Sequence, residues 1–134
     1  MKLKSYSDGG SRNNPGPAGI GGVLLGEDDE IIESLSEYIG TATNNEAEYQ
    51  ALIHMLELAI EQNTDQLDCF LDSELVVRQA KGEYRVKDAK LKPLFVKLKQ
   101  LEAVLPVVTY NHVPREENEE ADKRVNQALD EAGY

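Results

Sequence analysis

The chain has 134 residues, of which 40% are hydrophobic and 29% are charged. These values are typical of a soluble globular protein, and the length suits one domain with a self-sufficient core. The single cysteine excludes an intrachain disulfide, and no segment approaches the roughly 20 apolar residues that span a bilayer. The start of the chain is too short and polar for a signal peptide. We therefore expect one domain over residues 1–134, in a cytoplasmic monomer without membrane contact.

The net charge of −11 argues against a general polyanion binder, but the charge is unevenly distributed. Eight of the 14 basic residues lie between Arg78 and Lys99, where only two acidic residues oppose them. This basic segment is either a contact surface for a phosphate backbone or a solvated, lysine-rich helix face. Charge alone leaves both interpretations open.

The first half of the chain predicts three strands followed by a long helix. The strands lie at about residues 2–7, 23–26 and 31–39. A turn-rich stretch, DGGSRNNPGPAGIGG, follows the first strand, and an acidic turn at residues 27–30 makes a hairpin of the other two. Apolar residues at helical spacing predict a helix over residues 44–62, with Thr43, Asn44 and Asn45 as candidate caps.

The second half predicts two strands and three helices. The strands lie at residues 67–71 and 107–110, and the helices at 73–81, 91–105 and 116–132. The complete order is β-β-β-α-β-α-α-β-α. A leading hairpin followed by βα crossovers predicts an α/β protein with a mixed sheet and helices packed on it.

Helical phase separates two neighbouring glutamates in the first helix. Glu48 precedes Leu52 by four residues and Met55 by seven, so it faces inward, whereas Glu46 lies on the wet face. Because an unpaired buried charge is costly, Glu48 needs a cation or a hydrogen-bond donor. A position at the rim of the sheet, stabilised by the helix N-terminus, is the simpler alternative.

Two aspartates stand at the predicted ends of strands. Asp8 follows the first strand, and Asp72 follows the buried run ending at Leu71. Sites in open α/β sheets form at the carboxyl ends of strands, although an aspartate before a turn is also common for local reasons. Carboxylates from separate elements repel one another unless a hard cation such as Mg²⁺ holds them together.

The C-terminal segment adds a histidine and a fourth carboxylate. His112 follows the predicted last strand, where a mobile side chain could transfer protons. Asp122 lies ten residues later, in the first turns of the last helix. Its acidic neighbours are typical of a helix start that the dipole stabilises, and only spacing sets Asp122 apart from them.

Four segments, in this order and spacing, resemble the type 1 ribonuclease H family (ribonuclease HI): DGGSRNNPGPAGIGG, TNNEAEYQAL, LDSELVV and HVPREENEEAD. The resemblance spans almost the whole chain. It implies a ribonuclease H-like fold, with a five-stranded mixed sheet whose first three strands are antiparallel and whose later strands are parallel. It also implies an endonuclease that hydrolyses the RNA strand of RNA–DNA hybrids and leaves 5′-phosphate ends. The expected cofactors are two Mg²⁺ ions, for which Mn²⁺ can substitute.

The resemblance also implies roles for individual residues. The metal ligands are expected at Asp8, Glu48, Asp72 and Asp122, and His112 is expected to help activate water or release product. The expected contacts to the hybrid are Gly9, Gly10, Ser11, Asn14, Thr43, Asn44, Asn45, Arg85 and Lys87.

The chain departs from its well-studied relatives at two places. Glu74 stands where they carry glutamine, and a glutamate only accepts hydrogen bonds. The tryptophan-bearing basic protrusion is absent, since the chain has no tryptophan, and Arg85, Lys87, Lys90 and Lys92 form a reduced version of it. We therefore expect weaker hybrid binding with a strong salt dependence.

Three alternatives stay open on the sequence. The same fold could serve a DNA strand transferase or nuclease, which also uses clustered carboxylates. It could serve a non-catalytic nucleic-acid-binding module, although four unneutralised carboxylates would repel phosphate. Cleavage of double-stranded RNA is the third alternative.

Overall fold

The computed structural model describes residues 1–134, and its elements follow the predicted order. The elements are β1 (Lys2–Ser11), β2 (Gly16–Leu25), β3 (Ile31–Ala42), α1 (Asn44–Glu61), β4 (Gln66–Leu71), α2 (Glu74–Ala80), α3 (Lys92–Glu102), β5 (Val107–His112) and α4 (Glu119–Glu131). A 3₁₀ turn, Arg115–Glu117, precedes α4.

The five strands form one mixed sheet in the order β3-β2-β1-β4-β5. Strands β1, β2 and β3 pair antiparallel, and β4 and β5 join β1 in parallel. The predicted fold class is confirmed. Helices α1, α2 and α3 bury the main core against one face of the sheet, with Leu3, Leu52, Leu67 and Leu98 at its centre. None of the helices combines the length and the apolar character needed to cross a membrane.

The prediction of a turn-rich stretch over residues 8–22 is wrong for most of its length. Strand β1 continues to Ser11 and β2 begins at Gly16, so only the residues between them make a turn. Asp8 therefore lies inside β1, paired with Gly21 of β2, and does not follow the strand.

Close helix–sheet packing explains why these strands contain so many glycines. A Cβ atom on Gly9 would lie 2.2 Å from the carbonyl carbon of Ala47 in α1, and one on Gly21 would lie 2.5 Å from the carbonyl oxygen of Ala121 in α4. The two helices thus approach opposite faces of the sheet at positions where no side chain fits. Glycine here marks a close backbone approach rather than a turn.

The helix boundaries differ from the predictions in ways that the hydrogen bonds explain. Thr43 is the N-cap of α1, since its hydroxyl accepts from the Glu46 N–H at 3.1 Å while the Glu46 carboxylate accepts from the Thr43 N–H at 3.0 Å. The predicted last helix is split, because Asn118 adopts a non-helical conformation (φ −116°, ψ 26°) between the 3₁₀ turn and α4. The third helix ends at Glu102, before the predicted Leu105.

The helix–strand contact at Gly9 predicts a sharp difference between two adjacent substitutions. Gly9→Ala should destabilise the protein by roughly 3 kcal/mol or more, because backbone atoms of α1 occupy the space of the new methyl group. Gly10→Ala is the matched control, since its Cβ would meet no atom closer than 3.8 Å, and it should cost less than about 1 kcal/mol. Urea denaturation followed by circular dichroism measures both. Equal losses for the two variants would contradict the packing argument.

Candidate active site

A polar cavity of about 520 Å³ opens at the carboxyl ends of β1 and β4. All four predicted metal ligands line it, together with five of the predicted substrate contacts. These nine residues are Asp8, Glu48, Asp72, Asp122, Gly9, Gly10, Ser11, Asn44 and Asn45. The fold thus gathers residues from both ends of the chain at one edge of the sheet.

Each carboxylate reaches the cavity from a different element. Asp8 projects from β1, Glu48 from the first turns of α1, Asp72 from the residue after β4, and Asp122 from the first turns of α4. Asp8 and Glu48 are each only 7% exposed. Helical phase correctly predicts the burial of Glu48, and Glu46 instead forms the capping box of α1.

Three of these carboxylates lie close enough together to share a cation. One oxygen each from Asp8, Glu48 and Asp72 lies within 4.8 Å of the others. The Oε2 atom of Glu48 is buried and has no hydrogen-bond partner in the protein. Such an orphaned acceptor is costly in a folded protein unless a ligand satisfies it.

Burial and mutual repulsion disfavour the ionised form of this group. Burial raises the pKa of Asp8 to about 7, and the neighbouring charges of Asp72 and Asp122 add to the shift. Burial likewise raises the pKa of Glu48 well above its ordinary value, and its contact with Asp8 reinforces the effect. Burial also raises the pKa of Asp72, although the nearby charges of Arg115 and His112 oppose this. Both effects therefore favour the protonated forms of these carboxyl groups.

Asp122 stands at the rim, where its side chain is 34% exposed. Its Oδ1 lies 3.8 Å from an Nη atom of Arg115, and its Oδ2 accepts a long hydrogen bond of 3.5 Å from Asn126. Asp122 is thus more exposed than Asp8 and Glu48, although its charge acts on Asp8.

Asn44 organises the loop side of the cavity. Its side-chain oxygen accepts from the Ser11 N–H at 2.8 Å and from the Ser11 hydroxyl at 3.1 Å. Its own backbone N–H donates to Oδ1 of Asn14 at 3.0 Å. These bonds tie the β1–β2 turn to the start of α1. They also leave the Asn44 amide nitrogen available to donate to a ligand.

Several predicted site residues lie outside this cavity. Asn14 and Thr43 support the start of α1. His112, at the end of β5, is exposed and lines a smaller cleft beside α2. Arg85 and Lys87 are exposed in the segment between α2 and α3, where Arg85 lines a separate groove.

Sequence reasoning missed Arg115, which lines the cavity and has a side chain that is 81% exposed. It is a basic residue near the mouth of an otherwise acidic site. The sequence does carry a trace of it, since Arg115 directly precedes an acidic run, three residues after His112.

The sequence matches the protein family described as "Reverse transcriptase-like" over residues 6–128. It is 41% identical to ribonuclease HI of Halobacterium salinarum over 131 residues, which cover 98% of this chain and 66% of that protein. It is 40% identical to the bifunctional protein Rv2228c of Mycobacterium tuberculosis, covering 98% of this chain and 36% of that protein. The chain thus spans less than two thirds of these relatives.

Solved structures of relatives agree with the fold over nearly the whole chain. The crystal structure of RNase H1 from Halobacterium salinarum, 40% identical, matches with a TM-score of 0.94 over 98% of this chain and 99% of that chain. LC11-RNase H1 in complex with an RNA/DNA hybrid, 43% identical, matches with a TM-score of 0.92 over 97% and 98%. The chain therefore belongs to this reverse transcriptase-like family, and within it to the type 1 ribonuclease H proteins that its four sequence motifs resemble.

Proposed function

We propose that this protein is a divalent-metal-dependent endonuclease that hydrolyses the RNA strand of RNA–DNA hybrids, with residues 1–134 as a single catalytic domain. The observation that carries the proposal is the carboxylate group of Asp8, Glu48 and Asp72, with ligand oxygens within 4.8 Å of one another in an open polar cavity. The relative LC11-RNase H1 has been solved in complex with an RNA/DNA hybrid, which supports the choice of substrate.

The donor set fits hard divalent cations. It consists of carboxylate oxygens, the ligand type that Mg²⁺ and Mn²⁺ prefer, and it includes the buried, unpartnered Oε2 of Glu48. The raised pKa values of Asp8 and Glu48 express a repulsion that a cation would relieve. We assign Asp8 and Asp72 as central ligands, with Glu48 and Asp122 completing a site for two Mg²⁺ ions.

Bound cations would supply a more acidic attacking water and stabilise the leaving 3′-oxygen. The chain's own residues hold the substrate around them. The amide groups of Asn44 and Asn45 face the cavity and suit hydrogen bonds to sugars and base edges in the minor groove. We also assign the Glu48 carboxylate, which lines the cavity, as an acceptor for a 2′-hydroxyl, the group that distinguishes RNA from DNA. His112, exposed at the end of β5, is assigned a proton-transfer role at the margin of the site.

A pair of substitutions tests whether Asp72 differs in function from Asp68, an aspartate of β4 that lies outside the cavity. Asp72→Asn should keep the fold but lose at least about 100-fold in Mg²⁺-dependent cleavage of a labelled hybrid, because it removes a central ligand. Asp68→Asn is the matched control on β4, since Asp68 pairs with Lys2 away from the cavity, and it should retain activity. Undiminished cleavage by Asp72→Asn would contradict the assignment.

The same assay decides between substrate classes. The wild-type protein should cleave the RNA strand of a hybrid and leave matched DNA and RNA duplexes intact, with Mg²⁺ or Mn²⁺ present. Cleavage of DNA duplex would favour the nuclease alternative, and cleavage of duplex RNA would broaden the substrate range. Hybrid binding without cleavage in either metal would favour a non-catalytic module.

The raised pKa of Asp8 predicts an unusual stability effect. Because the folded pKa is about 7 against an ordinary 3.8, the contribution of Asp8 to stability is most favourable below pH 3.8 and is lost as the pH rises towards 7. Asp8→Asn removes this loss and should stabilise the metal-free protein at pH 8 by roughly 1–3 kcal/mol. This gain in stability should be smaller at pH 5 and in the presence of Mg²⁺. Urea unfolding with and without EDTA measures it. A variant less stable than wild type at pH 8 would refute this electrostatic account.

Substitutions in the basic segment should weaken binding of the hybrid without changing the rate of the chemical step. Arg85→Ala with Lys87→Ala should raise KM for the hybrid, leave kcat nearly unchanged, and lower the slope of log KM against log salt by about 1 to 2. Lys2→Ala is the control, since Lys2 lies at the opposite end of β1 from the cavity. If both variants show the wild-type salt slope, the segment is a solvated surface.

A further inference from the structure

Asn118 is a buried polar residue at the point where the last helix begins. It is 1% exposed, and its side-chain amide donates to the backbone oxygen of Ser7 at 2.9 Å. The two residues are 111 positions apart in the chain. A carbonyl oxygen can only accept, so this contact fixes the orientation of the amide, with Nδ2 towards β1.

Ser7 lies where β1 and β4 separate. The parallel pairing of these strands ends at Tyr6 and Phe70, and Ser7 is the next residue along β1. Asp8 follows Ser7 directly, and Asp72 stands two residues beyond Phe70. The Asn118 amide therefore meets β1 at the place where the strands diverge to form the carboxylate cavity.

The backbone of Asn118 contacts the other side of the same site. Its carbonyl oxygen accepts from the N–H of Asp122 at 3.1 Å. One residue is thus bonded to the strand that carries Asp8 and to the turn of α4 that carries Asp122.

Helix stability does not explain the orientation of the Asn118 side chain. Asn118 occupies the N-cap position of α4, where an asparagine ordinarily accepts from a backbone N–H of the first turn. Here the side chain makes no capping bond, and its Oδ1 has no hydrogen-bond partner in the protein. The amide bonds to β1 and leaves the N-terminus of α4 without a side-chain cap.

We infer that Asn118 is a positioning residue that sets the separation of Asp8 and Asp122 and thereby the affinity of the site for divalent cations. The inference rests on the proposed function only in that it treats these carboxylates as metal ligands. Residues that hold metal ligands in place commonly change metal affinity when they are replaced, because the ligands lose their preset geometry.

The test is a calorimetric titration of the substrate-free, full-length protein with Mn²⁺. Asn118→Ser keeps a good N-cap residue but is too short to reach the Ser7 oxygen, and it should weaken Mn²⁺ binding by roughly 10-fold. Asn118→Thr fills more of the space than serine does and also lacks the amide, so it should weaken Mn²⁺ binding to a similar extent. The hybrid KM at saturating metal should stay near the wild-type value in both variants.

Thr64→Val is the control for a merely structural effect. Thr64 is 3% exposed and donates a buried side-chain hydrogen bond to the Ala59 oxygen at 2.8 Å, far from the cavity. It should lower the melting temperature without changing the Mn²⁺ affinity. Wild-type affinity in both Asn118 variants, or failure of both to fold, would overturn the inference. A wild-type protein that binds Mn²⁺ but cleaves no hybrid would refute the proposed function alone.

Discussion

The direct backbone contact between β1 and α1 at Gly9 is the constraint on which the active site depends. Asp8 precedes Gly9 in β1, and Glu48 follows Ala47, whose carbonyl carbon would lie 2.2 Å from a Cβ on Gly9. The approach that joins helix to sheet therefore also brings these two carboxylates together. Their proximity has an electrostatic cost, seen in their raised pKa values, and packing energy elsewhere in the core must offset it.

Under the proposed function, this arrangement would make the binding of a polyanion conditional on metal. The protein carries a net charge of −11, and the cavity that would receive the scissile phosphate is lined by four carboxylates. Bound cations would reverse the local sign of the field, whereas the basic side chains of Arg85 and Lys87 lie outside the cavity. Under the proposed function, long-range attraction of the substrate by the basic segment and its short-range contact with a cation-loaded cavity would thus be separate requirements.

The parts of the site that the sequence predicts are those that depend on local periodicity. Glu48 could be distinguished from Glu46 because a helix exposes one face and buries the other, whatever packs against it. The glycines of β1 and β2 could not be interpreted in this way. These residues lack side chains because α1 and α4 approach the strands closely at these positions. A local run of glycines looks the same in the sequence whether it marks such a close contact or a turn. Arg115 was not predicted as a site residue, because an exposed side chain follows no periodic pattern.

Asn118 shows why some determinants of a site lie beyond local sequence reasoning altogether. An acidic helix start predicted one continuous helix over residues 116–132, and an asparagine there is an ordinary capping residue. Its amide instead binds a carbonyl 111 residues away, at the residue of β1 that follows the end of its pairing with β4. The place where these two strands stop pairing is thus also the place where the residue before α4 is bonded to β1. A helix that carries one of the cavity's carboxylates is in this way fixed to the strand that carries another, and the geometry of the cavity is a property of the sheet's topology as much as of the four carboxylates.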